Sequence, residues 1–192
     1  MTVQTPSPEV ILSLASQLAD VAAEQTLKWF RAPALVTQNK WAEGFDPVTE
    51  ADRAAEAAMR ALLKVQRPDD SVIGEEAQNT VGTSGLSWVL DPIDGTRGYV
   101  SGTPTWGTLI ALNDGQQPIF GVIDQPYTAE RFVGGLGMAF LERHGVKTPL
   151  ATRKTRHLSQ ATIFTTFPEV GSPLEAEAFH AVAEQCQLTR YG

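Results

Sequence analysis

Apolar residues recur at helical spacing in two stretches near the start of the chain. Residues 7–9, Ser-Pro-Glu, supply an N-cap hydroxyl, a proline at the first helical position and an acid near the positive helix end. Apolar positions then repeat with the helical period toward Phe30, and Pro33 ends the pattern. The second stretch, 49–65, is rich in alanine and ends before Pro68. The pattern predicts two amphipathic helices.

From Ser71 onward the apolar residues form short runs typical of β-strands. An Asn113-Asp114-Gly115 sequence separates two of these runs and predicts a tight hairpin, because these residues tolerate the positive φ of such turns. The runs lie at positions 72–73, 88–90, 105–112, 119–123, 131–133 and 138–141. Two helices on one face of a largely antiparallel sheet give an α+β fold.

A boundary between two domains is expected after Pro149. Beyond it, a strand at 163–166 and a helix at 173–186 begin a separate α/β pattern. Residues 1–149 are therefore assigned to an N-terminal α+β domain, and residues 150–192 to the start of a second α/β domain. Only about 40 residues of this second domain are present, fewer than the roughly 50 that a domain needs, so we expect it to be incomplete.

The composition excludes several classes of protein. Fifteen Lys and Arg face 22 Asp and Glu, for a formal net charge of −7 and a pI of about 4.9, so we expect no nucleic-acid partner. No apolar run approaches the roughly 18 residues of a membrane span. The single Cys186 excludes an intrachain disulfide, and the three histidines are too scattered for structural zinc. The first residues do not resemble an export leader, so we expect a cytoplasmic protein.

Acidic residues are concentrated in three segments that border apolar runs: 46–52 (Asp-Pro-Val-Thr-Glu-Ala-Asp), 74–76 (Gly-Glu-Glu) and 91–96 (Asp-Pro-Ile-Asp-Gly-Thr). In the last of these we expect a buried strand to end at Asp91, because Pro92 cannot continue the hydrogen-bond ladder. Carboxylates gathered at strand ends repel one another unless a cation lies among them. Mg²⁺ prefers oxygen ligands, so the pattern predicts a divalent-metal site.

Each acidic segment, taken alone, also has an ordinary structural explanation. An Asp-Pro-x-Asp-Gly-Thr segment is more often a capped turn, and Glu75-Glu76 is more often a solvated pair. Asp46 and Asp52 beside Thr49 suit a helix start. The combination of the three segments favours the metal site. The sequence lacks the motifs of serine hydrolases, P-loop nucleotidases and zinc metallopeptidases.

The three acidic motifs, in this order and spacing, resemble those of the inositol monophosphatase family of Mg²⁺-dependent phosphomonoesterases, over roughly residues 10–192. Segments 95–110 and 121–132 are most similar to the histidinol-phosphatase branch, whereas Arg97, Ser101 and Trp106 depart from the inositol-directed members. The resemblance implies a layered α/β/α sandwich of the sugar-phosphatase type and a homodimer. It also implies a small phosphorylated metabolite as substrate, with L-histidinol phosphate as the first candidate.

The resemblance further implies a set of metal ligands. Glu75, Asp91 and the backbone carbonyl of Ile93 would hold a first Mg²⁺. Asp91 would bridge to a second ion that Asp94 also binds. Glu76 is a candidate ligand for a third ion, with a surface acid as the alternative.

The same resemblance implies how phosphate and water are handled. Asp94, Gly95 and Thr96 would contact the phosphate. Glu75 and the Thr96 hydroxyl, which Asp46 would orient, would position and deprotonate the attacking water. Cations next to the phosphate would neutralise the charge that builds on the leaving oxygen.

One departure from the family pattern lies in residues 151–192, which contain no aspartate where the family has a further metal-binding one. We therefore expect the 192-residue chain alone to bind metal weakly and to turn over slowly. Two alternatives stay open: a related phosphatase acting on an inositol, sugar or nucleotide phosphate, and an inactive fragment with a binding or oligomerisation role. Arg97 is a candidate contact to substrate or dimer partner, and a surface salt bridge is the alternative.

Overall fold

The computed structural model describes residues 5–33, 37–39, 47–167 and 171–192 of the chain. The chain divides into two compact units, residues 1–150 and residues 151–192. Whether these units are independent domains stays a prediction. No helix in the described ranges is long and apolar enough to cross a membrane.

Two long helices of the first unit, α1 (Pro8–Trp29) and α2 (Glu50–Gln66), confirm the prediction from helical spacing. The Ser7 side chain accepts the Val10 N–H at the start of α1. At the start of α2 the Thr49 hydroxyl accepts the Ala51 N–H, while the buried Asp52 carboxylate accepts the Thr49 N–H at 2.8 Å. These reciprocal bonds satisfy backbone groups that the helix itself leaves without partners, which explains why the helices begin where the sequence predicts.

The sheet of the first unit has seven strands in the same order as in the sequence. The first two strands pair parallel, and every later neighbour is antiparallel. A short antiparallel pair, β1 (Thr37–Asn39) and β2 (Pro47–Thr49), precedes α2. The strands of the main sheet are β3 (Ser71–Gly74), β4 (Ser87–Asp94), β5 (Gly107–Asn113), β6 (Pro118–Gln125), β7 (Glu130–Gly135), β8 (Met138–Arg143) and β9 (Val146–Pro149).

Both helices pack on one face of this sheet and form the hydrophobic core with it. The alternating pattern of each strand directs one set of apolar side chains toward the helices. These core residues are Ile11, Leu14, Leu18, Met59, Leu63, Trp88, Leu90, Ile110, Leu112, Phe120, Val122 and Val133. The α+β class predicted from the sequence is therefore confirmed.

The prediction that the strand ends at Asp91 is wrong, because β4 continues to Asp94. The pairing of β4 with β5 shifts register between Asp91 and Asp94, and Pro92 lies in this irregular interval. A proline lacks the N–H of a regular ladder, so a bulge is a place where a strand can contain one. The Pro92 carbonyl still has a hydrogen-bond partner, because the buried Thr108 hydroxyl donates to it at 2.8 Å.

A short helix, α3 (Thr96–Ser101), follows β4 after a single residue. That residue, Gly95, has φ of 85° and lies against the Thr105 carbonyl, so a side chain at this position would be both strained and crowded. The chain can therefore change from strand to helix within one residue.

The second unit contains a parallel pair of strands joined through a helix. The elements are a 3₁₀ turn (Leu158–Gln160), β10 (Thr162–Thr165), α4 (Pro173–Ala183) and β11 (Leu188–Tyr191). Helix α4 begins with a capping box between Ser172 and Glu175. Helix α4 ends at Ala183, three residues before the predicted end at Cys186. The residues after Ala183 form tighter turns, in which the Cys186 N–H donates to the Ala183 carbonyl.

Candidate active site

The parallel pairing of β3 and β4 brings two of the predicted acids together. Gly74, the last residue of β3, is the register partner of Leu90 in β4. The residues that follow these partners are Glu75 and Asp91. Because parallel strands run in the same direction, both acids emerge at the same edge of the sheet.

Asp91 lies in an environment that disfavours its negative charge. Burial raises the pKa of its carboxyl to about 7, and the negative charges of Glu75 and Asp94 add to the effect. The protonated carboxyl also hydrogen-bonds to Glu75, whereas the Ile93 N–H stabilises the ionised form. One oxygen of Asp91, Oδ1, is buried and has no hydrogen-bond partner. A buried carboxylate oxygen without a partner is costly, and a bound cation would relieve that cost.

The rest of the 91–96 segment runs from the end of β4, which contains the buried Ile93, into the start of α3. The Thr96 hydroxyl donates to the Ile93 carbonyl at 2.9 Å, while Asp94 and Gly95 are exposed and Thr96 is half-buried. A carbonyl oxygen has two lone pairs, so this bond leaves Ile93 with capacity for a second partner. Four of the predicted site residues thus follow one another at the junction between β4 and α3, close in sequence to Asp91.

The donor set at this edge has the chemistry that a hard divalent cation requires. It offers carboxylate oxygens and a backbone carbonyl, with Asp91 Oδ1 as an unsatisfied buried acceptor. Within the described ranges, however, no group of three or more histidine, cysteine, aspartate or glutamate side chains is arranged to hold a metal ion. The residues fit Mg²⁺ by donor type and charge, although they are not arranged as a ligand cluster in the described ranges.

Comparison with known proteins identifies the family and the fold. Residues 7–186 match the inositol monophosphatase family. The chain belongs to the inositol monophosphatase family. An inositol monophosphatase structure from Zymomonas mobilis is 38% identical and superposes with a TM-score of 0.80, covering 98% of this chain and 70% of that one. The resemblance derived from the sequence is therefore confirmed.

Relatives of different named specificity are similar to this family member. A histidinol-phosphatase from Streptomyces coelicolor is 41% identical over 157 residues, covering 79% of this chain and 56% of the relative. An inositol-1-monophosphatase from Rhizobium meliloti is 34% identical over 158 residues, covering 77% and 56%. The chain thus spans about half the length of the curated relatives that it matches.

A buried acid that the sequence analysis missed holds the Gly-Glu-Glu motif of this family member in place. Glu56 of α2 is 1% exposed, and its carboxylate accepts the backbone N–H groups of Glu76 at 2.7 Å and Ala77 at 3.0 Å. Arg60 donates to the same carboxylate at 2.7 Å. A Cβ on Gly74 would collide with this carboxylate, which explains the glycine. The available signal was the helical spacing that places Glu56 on the same side of α2 as the apolar Ala55, Met59 and Leu63.

The remaining predicted site residues lie outside the junction of β4 and α3. Glu76 is half-buried beside the Glu56 bond, and Arg97 is exposed in the first turn of α3. Asp46, predicted to orient Thr96, lies outside the described residues. Asp52 is buried in the capping box of α2, which agrees with the alternative explanation that it belongs to a helix start. Burial and the nearby Asp52 charge raise the pKa of Tyr99.

Proposed function

We propose that the protein to which this chain belongs is a Mg²⁺-dependent phosphomonoester hydrolase that converts L-histidinol phosphate to L-histidinol and phosphate, a step of histidine biosynthesis. The observation that carries this proposal is the position of Asp91, whose buried and unpartnered oxygen lies among the charges of Glu75 and Asp94. Family membership supports the reaction class.

Each residue of the site has a proposed role. Glu75, Asp91, Asp94 and the Ile93 carbonyl would hold two Mg²⁺ ions, with Glu76 as a candidate ligand for a third. Bound Mg²⁺ would supply positive charge that lowers the pKa of water and stabilises the departing alkoxide oxygen.

The neighbouring turn would bind the transferred group. Exposed Gly95 and half-buried Thr96 would donate hydrogen bonds to the phosphate oxygens. The ion at Asp94 would attract the same oxygens by its charge. Glu75 and the Thr96 hydroxyl would orient the attacking water, and the Glu75 carboxylate would accept its proton. Asp46 would orient Thr96, and Arg97 is a candidate contact to the substrate.

The choice of substrate is supported by the relatives. Histidinol-phosphatases from Streptomyces coelicolor and Mycobacterium tuberculosis are each 41% identical to this chain. The second candidate function is hydrolysis of inositol 1-phosphate or another sugar or nucleotide phosphate. The 34% identity to the Rhizobium meliloti inositol-1-monophosphatase supports this candidate.

A substrate panel tests the proposal. Phosphate release from L-histidinol phosphate, inositol 1-phosphate and a nucleoside monophosphate would be measured with MgCl₂ and with EDTA. We expect fastest turnover of histidinol phosphate, dependence on MgCl₂, and a loss of at least about 100-fold in Asp91→Asn. Asp69→Asn is the matched control, because Asp69 is an exposed acid that lies outside the three acidic motifs. Normal rates in Asp91→Asn would contradict the metal role.

Three further properties are part of the proposal. We propose a cytoplasmic homodimer, which light scattering and cell fractionation would test. We also propose that the isolated 192-residue chain is less active than a longer form. A 192-residue chain of verified mass that hydrolyses histidinol phosphate briskly would contradict this point. A chain that self-associates but hydrolyses no substrate would favour the alternative of an inactive fragment with a binding or oligomerisation role.

A further inference from the structure

An arginine just after the end of α1 packs against two aromatic rings that also contact each other. Arg31 follows the C-cap residue Phe30 and has a left-handed backbone with φ of 60°. Its guanidinium carbon lies 5.0 Å from the ring centre of Phe30 and 4.8 Å from that of Tyr127. Its Nη1 also donates to the Tyr127 hydroxyl at 2.5 Å. A strained residue persists only when its surroundings fix it, so this geometry indicates a specific role.

Two further donors of Arg31 are directed at one backbone atom. Nε and Nη2 donate to the Gly102 carbonyl at 3.0 and 2.8 Å. Gly102 is the C-cap of α3 and has φ of 76°. Charge-assisted bonds of this kind are about twice as strong as neutral ones. Arg31 therefore fixes the end of α3 to the end of α1, although 71 positions separate the two residues in sequence.

The helix that Arg31 holds is too short to be stable by itself. An isolated helix of six residues does not form in water, so its position depends on tertiary contacts. A second contact supports the same attachment, because the buried Tyr99 hydroxyl donates to the Thr26 carbonyl of α1 at 2.6 Å. The other end of α3 is Thr96, which follows Asp94 and Gly95 directly.

We propose that Arg31 is a positioning residue that holds the 94–96 segment, through α3, in the orientation that binds phosphate. This inference rests on the proposed function, since phosphate binding at that segment is part of it. Arg31 touches neither the phosphate nor the metal in this proposal. Its contribution is to limit the movement of a six-residue helix whose first residue carries the Thr96 hydroxyl.

The experiment compares Arg31→Ala and Arg31→Lys with the wild-type chain by two measurements. Calorimetry with inorganic phosphate in MgCl₂ measures affinity, and amide hydrogen exchange measures the stability of α3. In Arg31→Ala we expect roughly tenfold weaker phosphate binding and roughly tenfold faster exchange at Tyr99 and Gly102. Exchange in the β5–β6 hairpin should be unchanged. Arg31→Lys should recover part of both effects, because an ammonium can donate one bond to the Gly102 carbonyl.

Arg156→Ala serves as the control, since Arg156 is an exposed arginine of the second unit. A general structural role for Arg31 would instead speed exchange throughout the first unit. Arg31→Ala with wild-type phosphate affinity, or with unchanged exchange in α3, overturns the inference. Because the isolated chain is expected to bind metal weakly, the measurement is made at saturating MgCl₂. A wild-type chain that binds no phosphate under this condition overturns the proposed phosphate site at 94–96 and the inference together. The two outcomes can be told apart. If only the inference is wrong, the wild-type chain binds phosphate and Arg31→Ala binds it equally well.

Discussion

Replacing Asp91 by asparagine should stabilise the metal-free protein at alkaline pH. Burial and two neighbouring acids raise the pKa of Asp91 from 3.8 to about 7 in the folded state. Between these values the folded protein retains a proton that the unfolded chain has lost, so the free energy of unfolding falls as the pH rises. Asparagine cannot ionise and therefore escapes this loss.

The size of the effect follows from the same pKa. A difference of about three pH units corresponds to about 4 kcal/mol at most. Water reaches part of the half-buried carboxyl and screens its charge, so we expect about 1–2 kcal/mol. In a chain of 192 residues this corresponds to a rise in Tm of about 2–8 °C at pH 8. At pH 5 only about a third of the interval between the two pKa values has been crossed, so the difference between the two proteins should be about a third of that at pH 8.

Thermal unfolding in EDTA at pH 5 and pH 8, and again in saturating MgCl₂ at pH 8, measures both parts of the prediction. The wild-type protein should gain stability from Mg²⁺, because a cation offsets the charge on Asp91. Asp91→Asn should gain much less, while the control Asp69→Asn should behave as the wild type. The reasoning is refuted if Asp91→Asn is less stable than the wild type at pH 8 in EDTA, or if Mg²⁺ stabilises the two proteins equally.

Three further substitutions test other parts of the structure by urea unfolding. Glu56→Gln weakens charge-assisted bonds to the Gly-Glu-Glu turn and should cost about 1–3 kcal/mol; no loss would mean that the turn is held otherwise. Arg131→Met removes the 2.7 Å ion pair of the buried Asp124. Burial already raises the pKa of this carboxyl, and loss of the arginine should raise it further. The cost should be about 3–5 kcal/mol and larger at pH 8 than at pH 5, and a cost independent of pH would contradict this. Leu18→Ala, at a fully buried position, should cost about 2–5 kcal/mol, and a smaller value would indicate that the core collapses around the cavity.

The parts of the fold that depend on local signals could be predicted from the sequence. Helix α1 begins at the predicted proline, and the hairpin at Asp114 forms as expected, since its carboxylate accepts the N–H groups of Gln116 and Gln117. Caps and turns of this kind involve neighbours in sequence, so their residue types indicate them directly.

The parts that depend on pairing between distant residues could not be predicted. The extension of β4 past Pro92 requires a bulge opposite β5, which only the register with that strand defines. The helical spacing places Glu56 on the buried side of α2, but its partners become evident only when α2 is placed beside residues 76 and 77. The acids at 75, 91 and 94 were identified as candidates from their motifs, but whether they lie together depends on which strands are neighbours and on their direction.

The single parallel pair in an otherwise antiparallel sheet constrains how the chain can vary. Parallel neighbours require a crossover of about a dozen residues, and the connection between β3 and β4 is residues 75–86. Shortening this connection to a tight turn would reverse one strand and carry Glu75 to the far edge of the sheet. Deletions here should therefore be poorly tolerated in evolution, whereas insertions at the crossover would preserve the geometry.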